Sequence, residues 1–366
     1  MNELRQIREN SLLQGLSRQL QSVRLSEPVT LMEVCGTHTM AIHRAGLPTL
    51  LPPNLRLLSG PGCPVCVTPV SYLDTACAIA RQYDVTLTTF GDMMRVPGTD
   101  GTLADLRSEG YPVDTVYSPF HSVTLAQQKP ESQVVFLAVG FETTAPVVAA
   151  SVKYAYDIGI NNFSILSAHK LVIPALKILI DDNRIFVDGF LLPGHVSVIL
   201  GSEPYRFIAE KNAKACVITG FETADIIQGI LLLIDQVQKR DFIVAIQYRR
   251  VVKPEGNTKA RAVIDEVFES ADTEWRGFGV IPESGLMLRD EFGAFDASER
   301  FPVHMEMHNE PVGCRCGDVL RGYIEPPECP LFARGCSPEH PVGPCMVSTE
   351  GTCAAYYRFS RLQGDI

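Results

Sequence analysis

"VVFLAVGFETTAP" (residues 134–146) and "ACVITGFETADI" (residues 215–226) follow one pattern: an apolar, largely β-branched run, then Gly-Phe-Glu-Thr, then residues that open a helix. An apolar run without polar alternation is a strand buried on both faces. A strand that ends in glycine and passes straight into a helix is the repeating step of a parallel α/β sheet. Two such steps sharing one turn are read as equivalent strand-to-helix turns in two similar α/β domains, and they point to duplication of one unit. Neither turn carries a full Gly-X-Gly-X-X-Gly or a Walker lysine, so nucleotide binding is not indicated.

Outward from this pair the same signature recurs up to about residue 250. "VTLMEV" (29–34), "VTLTTF" (85–90), "FSILSA" (163–168), "FLLPG" (190–194) and "IVAIQY" (243–248) read as further buried strands between longer helical patterns. After "VVKPEGNTKARAVIDEV" (251–267) the character changes to segments rich in Gly, Pro and charge, and six of the eleven cysteines then fall between residues 314 and 353. The expected fold class is α/β: two similar parallel-sheet α/β domains plus a small, loop-rich, cysteine-rich domain. The expected divisions are 1–135, carrying the CGTH and CPVC motifs and open to added C-terminal elements, 136–255, and 256–366.

The 366 residues carry a formal charge of −10, with 46% hydrophobic and 20% charged residues. That suits a soluble chain with a sizeable core and, lacking clustered Lys and Arg, excludes a general nucleic-acid surface. The opening "MNELRQIRENSLLQGLSRQLQSV" is charged from Glu3 onward and reads as an amphipathic helix rather than a signal peptide. Asp235 interrupts "ILLLIDQV" and Lys177 interrupts "LVIPALKILI", so no apolar run is long enough to span a bilayer. The expectation is a cytoplasmic protein without membrane or nucleic-acid partners, whose cysteines are metal ligands or redox thiols rather than structural disulfides.

In the tail, Cys314-X-Cys316 is followed by twelve residues to Cys329, six to Cys336, eight to Cys345 and seven to Cys353. A structural zinc site favours paired Cys-X2-4-Cys knuckles, which this tail lacks, so zinc is the weaker alternative. Single cysteines from separate loops suit an iron-sulfur cube, which needs four soft thiolates. Six cysteines for four positions leave two over, and in a Cys-X-Cys one thiolate can hold a cluster while its neighbour is redox-active, as in ferredoxin-thioredoxin reductase. The expected ligands of a 4Fe-4S cluster are Cys314, Cys329, Cys336 and Cys353, with Cys316 and Cys345 as the neighbouring redox pair.

The other thiols divide by context. Cys35 ends an apolar strand, where open α/β sheets place their binding crevices; Gly36 permits a tight turn and His38 offers a base or ligand. Cys63 and Cys66 form a Cys-X2-Cys ahead of a helix with Thr68 as N-cap and Pro69 as first helical residue, a setting that favours thiolate and suits a redox dithiol. His43 is read as an ordinary core or surface histidine, and Cys77 and Cys216 as buried hydrophobes.

Taken together, "CGTH" (35–38), "GPGCPVC" (60–66), "GDMMRVPG" (91–98), "GFETTAP" (140–146), "LLPGHVS" (191–197) and the tail "CRCGDVLRG…PCMVSTEGTCAAYYRF" closely resemble the HypD family of NiFe-hydrogenase maturation factors, over essentially the whole chain and with no departure at the cysteines. The resemblance implies two α/β domains facing a cleft, a third domain holding a 4Fe-4S cluster, and a role beside the small chaperone HypC. The pair would be the scaffold on which iron receives two cyanides, delivered by HypE, and one carbon monoxide. Within that frame Cys35 is the expected anchor of the transient iron, Thr37 and His38 the expected donors to the cyanide nitrogens, and Cys63/Cys66 a dithiol fed by the cluster. The rival reading is an iron-sulfur disulfide reductase, with Cys35 a nucleophile and His38 its base, which otherwise leaves CGTH idle; a zinc-stabilised binding module leaves more idle still.

Overall fold

The structure is a computed structural model that describes residues 2–304 and 310–359. It contains two parallel sheets. The first runs in the order β2-β1-β7-β8-β9, with β1 Val29–Glu33, β2 Leu55–Ser59, β7 Gly189–Pro193, β8 Ala215–Thr219 and β9 Val244–Ile246. The second runs β4-β3-β5-β6, with β3 Val85–Thr89, β4 Val113–Thr115, β5 Gln133–Gly140 and β6 Phe163–His169. Numbered by chain order within its own sheet, each is 2-1-3-4, and the first adds a fifth strand. The two α/β domains are therefore similar in topology, and all seven apolar runs picked out above are strands.

The strands are not shared out as the sequence order suggests. The chain makes β1 and β2, leaves to build the whole second sheet, and returns to the first at β7. The 135/136 division thus falls inside β5, and the first domain joins residues 29–59 to 189–246. Nor are the two Gly-Phe-Glu-Thr turns equivalent: β5 is the third strand of its sheet and β8 the fourth of its own. Their likeness answers a local demand. A Cβ on Gly140 would collide with the Thr144 side chain, and one on Gly220 with that of Asp225, because in both turns the following helix folds a polar side chain back over the strand end.

Residues 256–366 also divide. The antiparallel hairpin of β10 (Phe268–Trp275) and β11 (Gly279–Leu288) buries Phe268, Leu286 and Leu288 against Val134, Phe136 and Phe163 of the second sheet. A lone hairpin is marginal in water, and burying such side chains, at roughly 1.5–3 kcal/mol each, supplies what it lacks. The cysteine-rich segment instead shares its core with the first sheet, where Cys316, Val319, Leu320 and Cys345 join Met32 and Leu58. The N-terminal helix Asn2–Ser22 lies along the helix Thr223–Lys239, with Leu20 fully buried. Among the described residues no helix is long and apolar enough to cross a membrane.

In sheets of this order the reversal between the first and third strands opens a crevice at their carboxyl ends. In the first sheet that point lies between β1 and β7, and in the second between β3 and β5. The carboxyl ends of β1 and β7 and the residues that follow β5 border one cleft.

Candidate functional site

The cleft has a volume of about 540 Å3 and is lined from three sides: Cys35, Thr37, Pro193 and His195 from the first sheet, Phe141, Thr143 and Thr144 from the second, and Glu350 from the C-terminal segment. Cys35 sits at its floor as the extended N-cap of the helix Gly36–Arg44. Two glycines make this possible. A Cβ on Gly62 would lie 2.2 Å from the Cys35 nitrogen, and one on Gly36 2.6 Å from Glu350 atoms. Gly36 N–H donates to Gly62 O at 3.0 Å, so the CGTH turn, the loop before Cys63 and the tail are pressed together backbone to backbone.

Burial pushes the Cys35 thiol up to about 12, and the charges of Glu350 and Glu33 act in the same direction; the backbone N–H groups of His38 and Thr37 oppose them. The resting thiol is protonated, and a bound cation is what would release the proton. Thr37 Oγ1 donates to Glu350 Oε1 at 2.6 Å. The His38 ring turns away from the cleft. Its Nε2 lies 3.0 Å from Gly220 O and 3.1 Å from Thr219 Oγ1, and it stacks on Phe221. Burial lowers its pKa to about 4, so the ring is neutral. The imidazole that does border the cleft is His195, stacked on the same Phe221 at 3.9 Å and also held below its ordinary pKa by burial.

Glu33, buried at the end of β1, accepts from Cys35 N–H at 2.9 Å and from the Thr39 hydroxyl. Burial pushes its carboxyl from 4.5 up to about 7, against the lowering effect of these hydrogen bonds and of Ser59. The folded chain keeps this proton to higher pH than the unfolded chain, so Glu33 favours folding below about pH 4.5, and the contribution is lost as pH rises through about 7. Subtracting the unfolding free energy of Glu33→Gln from that of wild type should give a difference that falls across this window, by on the order of 3 kcal/mol at most, and is level above it. A difference level from pH 4 to 8 overturns that account.

Cys63 and Cys66 are paired at disulfide distance, with Cα atoms 5.2 Å apart. Cys63 is itself the N-cap of a one-turn helix, Pro64–Val67, and its sulfur accepts from Cys66 N–H at 3.1 Å. Thr68 closes that turn rather than capping the next helix, which starts at Val70 with Pro69 as its N-cap. The pair abuts the tail: Cys63 Sγ is 3.3 Å from Ser348 Oγ, and Cys66 Sγ is 4.0 Å from Pro344 O, next to Cys345.

All six tail cysteines line one small cavity, completed by apolar groups such as Val319, Phe332 and Met346. Cys316 and Cys345 Sγ atoms are 2.7 Å apart. The Cys345 thiol holds Cys316 below the usual thiol range and is itself raised well above it. The other four, Cys314, Cys329, Cys336 and Cys353, stand around the rest of the same cavity, and burial raises the Cys314 and Cys336 thiols. Among the described residues no three Cys, His, Asp or Glu side chains converge as a single metal ion requires. His43 packs on Tyr356 at 4.1 Å, and Cys77 and Cys216 are buried and line neither cavity.

His195, Glu350, Asp92 and Ser348 were given no role by sequence reasoning. Each lies within a motif already quoted, "LLPGHVS", "GDMMRVPG" or "PCMVSTEGTC", so the signal was there without the pairing that assigns it.

The model of the HypD family, described as "Hydrogenase formation hypA family", matches residues 10–360. The chain is 41% identical to the hydrogenase maturation factor HypD of Rhizobium leguminosarum bv. viciae over 377 aligned residues, covering 100% of this chain and 97% of that protein. It is 42% identical to the hydrogenase maturation factor HypD of Escherichia coli K12, covering 94% and 92%, and 43% identical to that of Azotobacter vinelandii, covering 90% and 89%. With a family match and relatives that span nearly its whole length, the chain belongs to the HypD family of hydrogenase maturation factors.

Proposed function

We propose that this maturation factor is the scaffold on which, together with HypC, the Fe(CN)2CO unit of the NiFe site is assembled, with cyanide supplied by HypE. The observation that carries the reading is the position of Cys35: a soft, buried thiol at the strand-reversal point of one sheet, facing the other sheet across an open cleft, a few residues in space from a second, paired set of thiols. Low-spin iron with diatomic ligands is bound well by thiolate and poorly by carboxylate. Coordination displaces the Cys35 proton, and iron supplies the positive charge that burial otherwise denies the sulfur. Thr37 and His195 border the space the cyanide nitrogens would occupy, while the His38 ring is engaged by Gly220 and Thr219 and acts on the site through its backbone N–H.

The six-cysteine cavity fits an iron-sulfur cluster by donor chemistry: its donors are all thiols, its remaining wall is apolar, and the sulfurs are spread around a space instead of converging on a point. Cys314, Cys329, Cys336 and Cys353 would hold a 4Fe-4S cluster, which when bound supplies electrons. Cys316 and Cys345 would form a dithiol beside it, and the Pro344–Val347 turn that holds Cys345 touches Cys66 through Pro344 O. Anaerobically purified protein should contain iron and acid-labile sulfide. Its complex with HypC should show infrared bands at roughly 1900–2150 cm−1, where metal-bound CO and cyanide absorb. Zinc without sulfide, or no bands in the complex from maturation-competent cells, overturns the proposal.

Thiol trapping over poised potentials should find Cys63/Cys66 switching between dithiol and disulfide within the cytosolic range, very roughly −200 to −320 mV. A pair that never changes state in that range is a fixed link, and the electron route ends at Cys345.

A further inference from the structure

We propose that Ser348 and Asp92 form a proton relay that serves the Cys63–Cys66 pair, carrying one proton between the Cys63 sulfur and solvent each time that bond opens or closes. The inference rests on the reading that this pair is redox-active. Opening a disulfide to two thiols takes two electrons and two protons, yet Cys63 and Cys66 are only 3% and 0% exposed, so ready protonation needs a donor held beside them. Among the described residues the polar group beside Cys66 Sγ is a carbonyl, Pro344 O at 4.0 Å, which has no proton to give. Cys63 meets a hydroxyl.

That hydroxyl, Ser348 Oγ, is 3.3 Å from Cys63 Sγ and 3.3 Å from Asp92 Oδ2, and it accepts from Glu350 N–H at 3.1 Å. A serine oxygen offers one hydrogen and two lone pairs. With Glu350 N–H filling one lone pair, the hydrogen and the other lone pair remain for Cys63 and Asp92, in either sense. Asp92, in the short turn Gly91–Arg95 after β3, is half-buried and reaches the surface. Its carboxylate is fixed independently by Thr349, whose N–H and Oγ1 donate to Oδ2 at 3.0 and 3.1 Å. The relay therefore lies where the first sheet's dithiol loop, the second sheet and the tail meet.

The step balances as follows. A dithiol reductant attacks Cys66 Sγ as thiolate; the Cys63–Cys66 bond breaks and its electron pair leaves on Cys63. As that charge forms, Ser348 gives its proton to Cys63 and takes up one that solvent delivers by way of the Asp92 carboxylate. The second reductant thiol loses its proton as it closes the reductant's own disulfide, and Cys66 leaves as thiolate and takes up that proton. The reductant loses two S–H bonds and the pair gains two. With the pair at disulfide distance Cys63 carries no hydrogen, so the Ser348 hydroxyl is the group free to donate toward Cys63 or toward Asp92, the arrangement before transfer.

The test is quenched-flow reduction of the anaerobic full-length protein by dithiothreitol, with alkylation and mass spectrometry of the Cys63/Cys66 peptide. Ser348→Ala keeps both Thr349 bonds to Asp92, and Asp92→Asn keeps an acceptor there. Each should slow reduction by about 100-fold or more, the lower end for loss of a positioned proton donor. The dithiol-disulfide equilibrium should stay at its wild-type position, and Ser348→Thr, which restores the hydroxyl, should recover the rate to within about threefold. A structural disturbance would shift rate and equilibrium together. Wild-type rates in Ser348→Ala and Asp92→Asn, a Ser348→Thr variant as slow as Ser348→Ala, or a pair that dithiothreitol cannot reduce each overturn the relay. If the slowing is found while the complex with HypC shows no CO or cyanide bands, the relay stands and the assembly reading falls.

Discussion

Cys35→Ala, purified with HypC, should lose the CO and cyanide bands while the iron-sulfur absorbance keeps its wild-type intensity. Removing groups that merely orient metal ligands costs 10–100-fold in affinity, so deleting the anchoring thiolate should lower the bands by more than ~100-fold, below detection. The change should be local: Cys35 is an N-cap whose side chain closes no capping hydrogen bond, and alanine there leaves Gly36, Gly62 and the Glu33 contact to the residue-35 N–H in place. The fold should therefore survive, and with it the tail cysteines, none of which depends on the Cys35 sulfur. The competing view, Cys35 as a nucleophile in disulfide exchange, requires a base. His38 fits that role poorly, since its ring points at Gly220 and Thr219. Bands of normal intensity in Cys35→Ala would nonetheless favour that view and remove the anchor.

Sheet membership and site geometry differ in how far they could be read from the residues. The central strands were legible because both of their faces are buried, which leaves an uninterrupted apolar run. β2 and β4 were not: they are edge strands, and "LRLLS" exposes Arg56 while "VDT" exposes all but Val113, so the pattern looks like loop. The shared Gly-Phe-Glu-Thr was over-read, because one strand-to-helix turn can recur at different places in a sheet. Cys35 was placeable from its position after a strand. The direction of His38 was not, because Cys35 caps the helix from outside it, so a spacing of three puts the residue-38 backbone, not its ring, toward the sulfur. His195 and Glu350 join the cleft from segments about 160 and 315 positions further along the chain, which no local pattern reports.

The second large effect concerns the tail. Serine at Cys314, Cys329, Cys336 or Cys353 should abolish the brown chromophore and lower bound iron and sulfide together, whereas serine at Cys316 or Cys345 should keep the chromophore and lose only thiol cycling. The argument turns on separation. A cube presents one iron at each of four corners, and each thiolate approaches its own corner from outside, so two ligand sulfurs cannot touch. Cys316 and Cys345 do touch, at 2.7 Å, so the two cannot both be ligands in this arrangement, and such contact suits a dithiol that closes to a disulfide. The remaining four come from separate segments around the same cavity, three from loops and Cys353 from the helix Thr352–Phe359, and Gly343 keeps it open on one side, since a Cβ there would sit 2.8 Å from Cys314 Sγ. Serine is a harder, far less acidic donor than cysteine and replaces thiolate badly on iron. Losing one corner of four in a lobe with few aliphatic residues should then release the whole cluster. The split fails if Cys316→Ser or Cys345→Ser bleaches the protein while Cys314→Ser leaves it brown, because Cys314 would then be the redox thiol of the Cys-X-Cys and one of the touching pair the true ligand.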